Sequence, residues 1–182
     1  MMRPEKSSIW ESDFEMIQPI TIIMGASGSG KSTVGRALAD ALGCPFYDGD
    51  DFHPPQNVAK MAAGTPLTDA DRGPWLARLA ELIRGHLERD EPAVLACSAL
   101  KRAYRDVLRV DPAHARRIRF VYLQGDFDTL RQRMAARPDH FMRPEMLRSQ
   151  FTALEEPGPD EAALVLPVTL PVDALVQAIR DG

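Results

Sequence analysis

Five short apolar runs alternate with longer stretches of helical spacing from residue 20 to the end of the chain. The runs at 20–24, 45–47, 93–97, 119–123 and 163–168 have strand length, and the first is the β-branched Ile20-Thr21-Ile22-Ile23-Met24. Helices are predicted between and after them at 31–42, near 57–63, and at 71–87, 101–109, 127–136, 145–154 and 172–180. The longest shows the 3.6-residue period most clearly, with Leu76, Leu79, Ala80, Ile83 and Leu87 on one stripe. Asp126 is placed to cap the helix beginning at Phe127, and Pro171 falls in the first turn of the last helix. Strands that alternate with helices form a parallel sheet covered on both faces. The pattern therefore predicts a three-layer α/β sandwich on a five-stranded parallel sheet. Pro157-Gly158-Pro159 reads as a loop within it, and no repeat or low-complexity segment interrupts it.

Composition removes alternatives more than it adds to this picture. With 182 residues, 45% hydrophobic and 26% charged, the chain has the balance of one globular domain with a sizeable core. No stretch approaches membrane-spanning length. Residues 1–17 mix Arg3, Lys6, Glu11, Asp13 and Glu15 with no apolar core, so they read as a loose extension and not as a signal peptide. Cys44 and Cys97 lie far apart in no metal-like spacing, which predicts reduced, buried thiols in a cytoplasmic protein. The net charge of −4 argues against general nucleic-acid binding. Yet residues 101–149 hold twelve Lys/Arg against six Asp/Glu. Such a segment suits an anion-handling element, although a solvated helix face would carry the same count.

The strongest chemical signal follows the first strand. Gly25-Ala26-Ser27-Gly28-Ser29-Gly30-Lys31-Ser32-Thr33 matches G-x-x-x-x-G-K-[ST], a phosphate-binding loop. Glycines let the backbone curl so that successive N–H groups converge on phosphate oxygens, Lys31 adds a point charge, and the Ser32 hydroxyl can ligate Mg²⁺. The helix starting at Lys31 turns its positive end to the same anion. A β-branched strand before the loop and an amphipathic helix after it (Val34, Leu38, Leu42) supply the required context. The chain is expected to bind a nucleoside triphosphate.

Ligands in open parallel sheets sit at the carboxyl ends of the strands. There the chain places Asp48-Gly49-Asp50-Asp51-Phe52-His53, then Ser98-Ala99-Leu100-Lys101, then Gln124-Gly125-Asp126. The third strand, Ala93-Val94-Leu95-Ala96-Cys97, lacks the terminal aspartate that commonly helps hold Mg²⁺ in P-loop ATPases. Asp48 and Asp50 are the candidates to replace it through water, although acids in a turn can be turn chemistry alone.

Further blocks run in order from about residue 20 to 157. They include Tyr47-Asp48-Gly49-Asp50 with Phe52-His53-Pro54, Asn57-Val58-Ala59-Lys60-Met61, and Gly64-Thr65-Pro66-Leu67-Thr68-Asp69-Ala70-Asp71-Arg72 with Pro74-Trp75-Leu76. Cys97-Ser98-Ala99-Leu100-Lys101 with Tyr104-Arg105, Phe120-Val121-Tyr122-Leu123, His140-Phe141-Met142 and Ser149-Gln150-Phe151 complete the set. Together they resemble the gluconokinase family of small P-loop sugar-acid kinases, relatives of shikimate kinase in the adenylate-kinase-like group. Pro138-Asp139 departs from the family, where glycine is common, and touches lid flexibility more than chemistry.

The resemblance implies a P-loop NTPase fold over residues 18–182 with a mobile lid near 131–144, and transfer of the ATP γ-phosphoryl to the 6-hydroxyl of D-gluconate. Lys31, Mg²⁺ and the loop amides would hold the phosphoryl while Arg137 covers it from the lid, with Arg133 either a second arginine there or a solvated helix residue. Asp50 would orient or deprotonate the acceptor hydroxyl, with Ser32 and water-linked Asp48 on the metal; the roles of the two aspartates could be exchanged. Arg72 is the candidate for the acceptor carboxylate, because a guanidinium binds one through two hydrogen bonds. Lys101, Arg105 and Gln150 are secondary candidates. His53 and His140 are expected near the site without a metal, His86 and His114 on the surface, and Trp75 in packing and not on adenine.

Three other readings compete, and the first, a nucleoside or nucleotide kinase, would want an aromatic-lined base pocket and is not suggested by the Asp71-Arg72 block. A shikimate-kinase-like enzyme would carry a Gly-Gly-Gly turn where this chain has Ser98-Ala99-Leu100. A P-loop nucleotide switch would show an Asn-Lys-x-Asp motif, which is absent. A homodimer with no nucleic-acid or membrane partner completes the expectation.

Overall fold

The computed structural model describes residues 19–136 and 144–182. The expected extension at 1–17, and Arg137 and His140 in the expected lid, lie outside the described residues. Strands β1 (Ile20–Met24), β2 (Phe46–Asp48), β3 (Ala93–Ala96), β4 (Ile118–Gln124) and β5 (Leu164–Pro167) form one sheet, ordered β2-β3-β1-β4-β5. Every pairing is parallel. The helices are α1 (Lys31–Leu42), α2 (Pro55–Ala62), α3 (Asp69–Glu88), α4 (Arg102–Leu108), α5 (Phe127–Ala135), α6 (Pro144–Ala153) and α7 (Val172–Asp181). The α/β sandwich expected from the apolar rhythm is the fold observed.

The period-two alternation of β1 divides the core. Ile20, Ile22 and Met24 pack with Trp75, Leu79 and Ile83 of α3 and Leu108 of α4 on one face. Ile23 packs on the other face with Val34 and Leu38 of α1, Leu130 of α5, and Leu175 and Ile179 of α7. With neighbours on both edges and helices on both faces, β1 is buried throughout, so the loop that leaves it starts from a rigid base. The strand order reverses about β1, which opens the crevice between the carboxyl ends of β1 and β3.

Local chemistry explains where elements begin. Helix α3 starts two residues before its expected position, because Thr68 accepts from Asp71 N–H while Asp71 reaches back to Thr68 N–H, a reciprocal cap. Asp126 caps α5 as expected, through Thr129 N–H at 2.8 Å. Pro171 is the N-cap residue of α7, one position before its expected first turn.

Two expectations about single side chains are corrected. His86 is buried, not on the surface, because the apolar stripe of α3 turns it toward β2, where its Nε2 meets the Tyr47 hydroxyl at 3.0 Å. Burial holds its pKa below the ordinary histidine value, with Arg89 acting in the same direction. Cys97 is buried as expected, its thiol pushed up to about 12 by desolvation, whereas Cys44 is half-buried; both are free.

Candidate active site

The loop after β1 is built to be narrow. Gly28 has φ of +82°, a left-handed conformation, and a Cβ there would stand 2.9 Å from the Leu130 carbonyl oxygen. Gly25 N–H donates to the Ser98 carbonyl beyond β3, and Ser29 N–H donates to the Ala26 carbonyl. Lys31 lies at the first position of α1 and its Nζ donates to the Ala26 carbonyl at 3.1 Å, across the loop. Ser32 Oγ donates to Asp48 Oδ2 at 2.7 Å, which brings the end of β2 to the start of α1.

The turn after β2 is held from below. Gly49 approaches β3 so closely that a Cβ would meet the Ala96 carbonyl oxygen at 2.7 Å. Its own carbonyl accepts from the indole N–H of buried Trp75 at 2.7 Å. Asp48 caps the short 3-10 turn at Gly49–Phe52 by accepting from Asp50 N–H. The ring of His53, the residue after that turn, stacks on Trp75 at 4.3 Å between centroids. Buried Asn57 donates to the Asp71 carbonyl at 2.8 Å and lies 3.3 Å from His53 Nδ1. A Nδ1 that accepts from the amide leaves the proton on Nε2, the nitrogen 3.9 Å from Asp50 Oδ1. Desolvation lowers the His53 pKa against the opposing pull of Asp50, and Arg72 adds to the lowering, so the ring is neutral at pH 7.

A cavity of about 320 Å³ joins these parts. Ser27, Lys31, Asp50, His53, Arg72 and Trp75 line it, with Met146, Ser149 and Gln150 of α6 along another wall. The guanidinium of Arg72 donates to the Leu67 carbonyl and lies 5.7 Å from the Tyr104 ring centre. The acids beside it in sequence are engaged elsewhere. Asp69 receives Lys101 Nζ at 2.8 and 2.9 Å together with the Tyr104 hydroxyl. Asp71 receives Lys60 at 2.7 Å, and that contact with the Thr68 bonds holds its carboxyl at about 2. Among the described residues no carboxylate forms an ion pair with Arg72.

The sequence profile of the shikimate kinase family matches residues 27–159. A gluconokinase from Gluconobacter oxydans is 47% identical, covering 79% of each chain. A probable gluconokinase from Mus musculus is 41% identical over 90% of this chain and 96% of its own. The chain belongs to the gluconokinase family. A solved gluconokinase from Sinorhizobium meliloti superposes on this member of the family with a TM-score of 0.80, at 43% identity and 91% coverage of each chain. The protein is an ATP-dependent phosphotransferase on the P-loop kinase fold.

Within this family member the candidate residues separate into groups. Lys31, Asp50, His53 and Arg72 share the cavity, and Ser32 and Asp48 adjoin it through their mutual hydrogen bond. Arg105 does not join them, and its expected place among the carboxylate ligands is corrected. Its guanidinium is fully buried, paired with Glu161 at 2.6 and 2.7 Å and donating to the Ala99, Leu100 and Glu155 carbonyls. Lys101 lies outside the cavity lining and is engaged by Asp69. Arg133 donates to the Val168 carbonyl at 2.6 Å, away from the expected phosphate contact. Gln150 lines the cavity but is bonded to the phosphate loop at Ser27. The clamp that Trp75 and Asn57 place on the Asp50–His53 turn has no signal in the sequence, because the burial of Asn57 and the Trp75–Gly49 bond are set by tertiary packing.

Proposed function

We propose that the protein transfers the γ-phosphoryl of MgATP to the 6-hydroxyl of D-gluconate. The observation that carries this reading is a single cavity lined by Lys31, Asp50 and a guanidinium, Arg72, with no carboxylate ion-paired to it among the described residues. Phosphoryl transfer needs positioning and charge neutralisation more than covalent help from the protein. The loop amides and Lys31 hold the phosphates, and Ser32 with Asp48 provides a hydroxyl and a carboxylate suited to Mg²⁺, which neutralises phosphate charge when bound. Asp50 orients the acceptor hydroxyl and takes its proton as the new P–O bond forms and the bond to the ADP oxygen breaks. Neutral His53 presents Nε2–H as a donor to an acceptor hydroxyl, and Arg72 binds the acceptor carboxylate at the opposite end of the substrate. Arg137 is assigned to the transferring phosphoryl from the family resemblance. The same proposal includes a cytoplasmic homodimer; no described helix is long and apolar enough to cross a membrane.

An ADP-release assay with gluconate, shikimate, nucleosides and no acceptor tests the reading. Turnover with gluconate well above all other arms is expected. Preference for shikimate, or equal rates with and without an acceptor, would replace it.

A further inference from the structure

The carboxamide of Gln150 makes two bonds to one residue at the apex of the phosphate loop. Its Oε1 accepts from Ser27 N–H at 2.7 Å, and its Nε2 donates to Ser27 Oγ at 2.9 Å. An amide has one acceptor and one donor side by side, and Ser27 presents their complements. The bonds span 123 residues, joining the loop after β1 to the middle of α6. Helix α6 is itself anchored: Leu147 is fully buried, Phe151 packs edge-on against Phe127 at 5.5 Å, and Arg148 lies over the Phe127 ring. Helix α6 therefore does not need Gln150 in order to dock. Met146, Ser149 and Gln150 also line the cavity that holds Lys31, Asp50 and Arg72.

We propose that Gln150 is a positioning residue for phosphoryl transfer, one that locks the apex of the phosphate loop to the α6 wall of the acceptor cavity. The inference rests on the reading that this cavity takes the acceptor acid. In-line transfer requires donor and acceptor oxygens to be held in one register, and small displacements are costly in rate. The loop positions the donor, while α6 forms part of the acceptor's enclosure. Among the described residues, the Gln150–Ser27 pair is a direct polar link between the two. A loosened link also admits water to the acceptor position, and water attacking the γ-phosphorus yields ADP and inorganic phosphate in place of the phosphorylated acid.

Gln150→Leu keeps the apolar stem and removes both bonds. Its kcat with gluconate should fall by about tenfold or more, with KM for ATP and the melting temperature little changed. The ratio of ADP released to phosphorylated acid should rise above one. Ser27→Ala removes only the Oγ bond and should show a smaller loss, and adding it to Gln150→Leu should cost nothing further. Unchanged kcat and one-to-one stoichiometry in Gln150→Leu, or losses that simply add in the double variant, would overturn the proposal. If Gln150→Leu fails to fold, Ser27→Ala decides: a kcat loss with raised ADP release supports the link, and wild-type behaviour removes it. A wild-type protein that phosphorylates no acid would overturn the underlying reading, whereas normal wild-type turnover with unaffected variants would overturn this inference alone.

Discussion

At the scale of single residues, two arginines of one chemistry have opposite fates. Arg105 is buried against Glu161, while Arg72 lines the cavity with only the Leu67 carbonyl and the Tyr104 ring against its guanidinium among the described contacts. Arg72→Lys keeps the charge and removes the planar fork, so a two-bond carboxylate contact is lost while general attraction persists. KM for gluconate should rise at least about tenfold, roughly 1.4 kcal/mol, with KM for ATP little altered. An unchanged gluconate KM with a lowered melting temperature would assign Arg72 to structure, tying the start of α3 to Leu67. Asp50 and Asp48 also separate by contact: Ser32 and Asp50 N–H occupy Asp48, whereas the Asp50 side chain is 82% exposed toward the cavity. Asp50→Asn should lower kcat by about a hundredfold with ATP affinity retained. Lost ATP affinity with kcat spared would exchange the two roles.

At the scale of elements, one buried ion pair ties α4 to the 3-10 turn that precedes β5. Arg105 in α4 and Glu161, in the 3-10 turn before β5, are 1% and 3% exposed. Hydrogen bonds from Arg105, then from Gly158 N–H, draw the Glu161 carboxyl from 4.5 to about 2 despite the opposing effect of burial. Because the folded-state value is depressed, the stabilisation is fully present above 4.5, where both folded and unfolded chains are ionised. It is lost as pH falls from 4.5 toward about 2, since only the unfolded chain takes up the proton there. The total is on the order of 3 kcal/mol. Glu161→Gln should therefore lose about that much stability at pH 7, melt earlier, and show a shallower acid limb in melting temperature against pH. Parallel acid limbs in the two proteins would exclude Glu161 as the titrating group.

At the scale of the whole molecule, the cavity draws on the β1–α1 loop, the turn after β2, the ends of α2 and α3, and α6. Unfolding disperses all of these, so ligands that need the assembled cavity stabilise only the folded state. Gluconate with a nonhydrolysable ATP analogue, each near a hundredfold above its Kd, should raise the melting temperature by roughly 5–10 °C or more. An equal rise in Lys31→Ala would show binding away from the phosphate loop. The strand–helix rhythm, the parallel sheet, the phosphate loop and the family were legible in sequence, because periodicity and contiguous motifs act over a few residues. Thus the five apolar runs lie within a residue or two of the observed strands, and α1 has its expected bounds at Lys31–Leu42. Residue type could not say which arginine faces the cavity, that His86 turns inward, or that Trp75 holds the turn carrying Asp50. Those outcomes depend on burial and on partners distant along the chain, such as Gln150 and Ser27, 123 residues apart. The sequence by itself determined the elements and the phosphate chemistry; only the packing of α3, α4 and α6 around the sheet decided which side chains meet, because a desolvated charge or amide must end beside whatever can satisfy it.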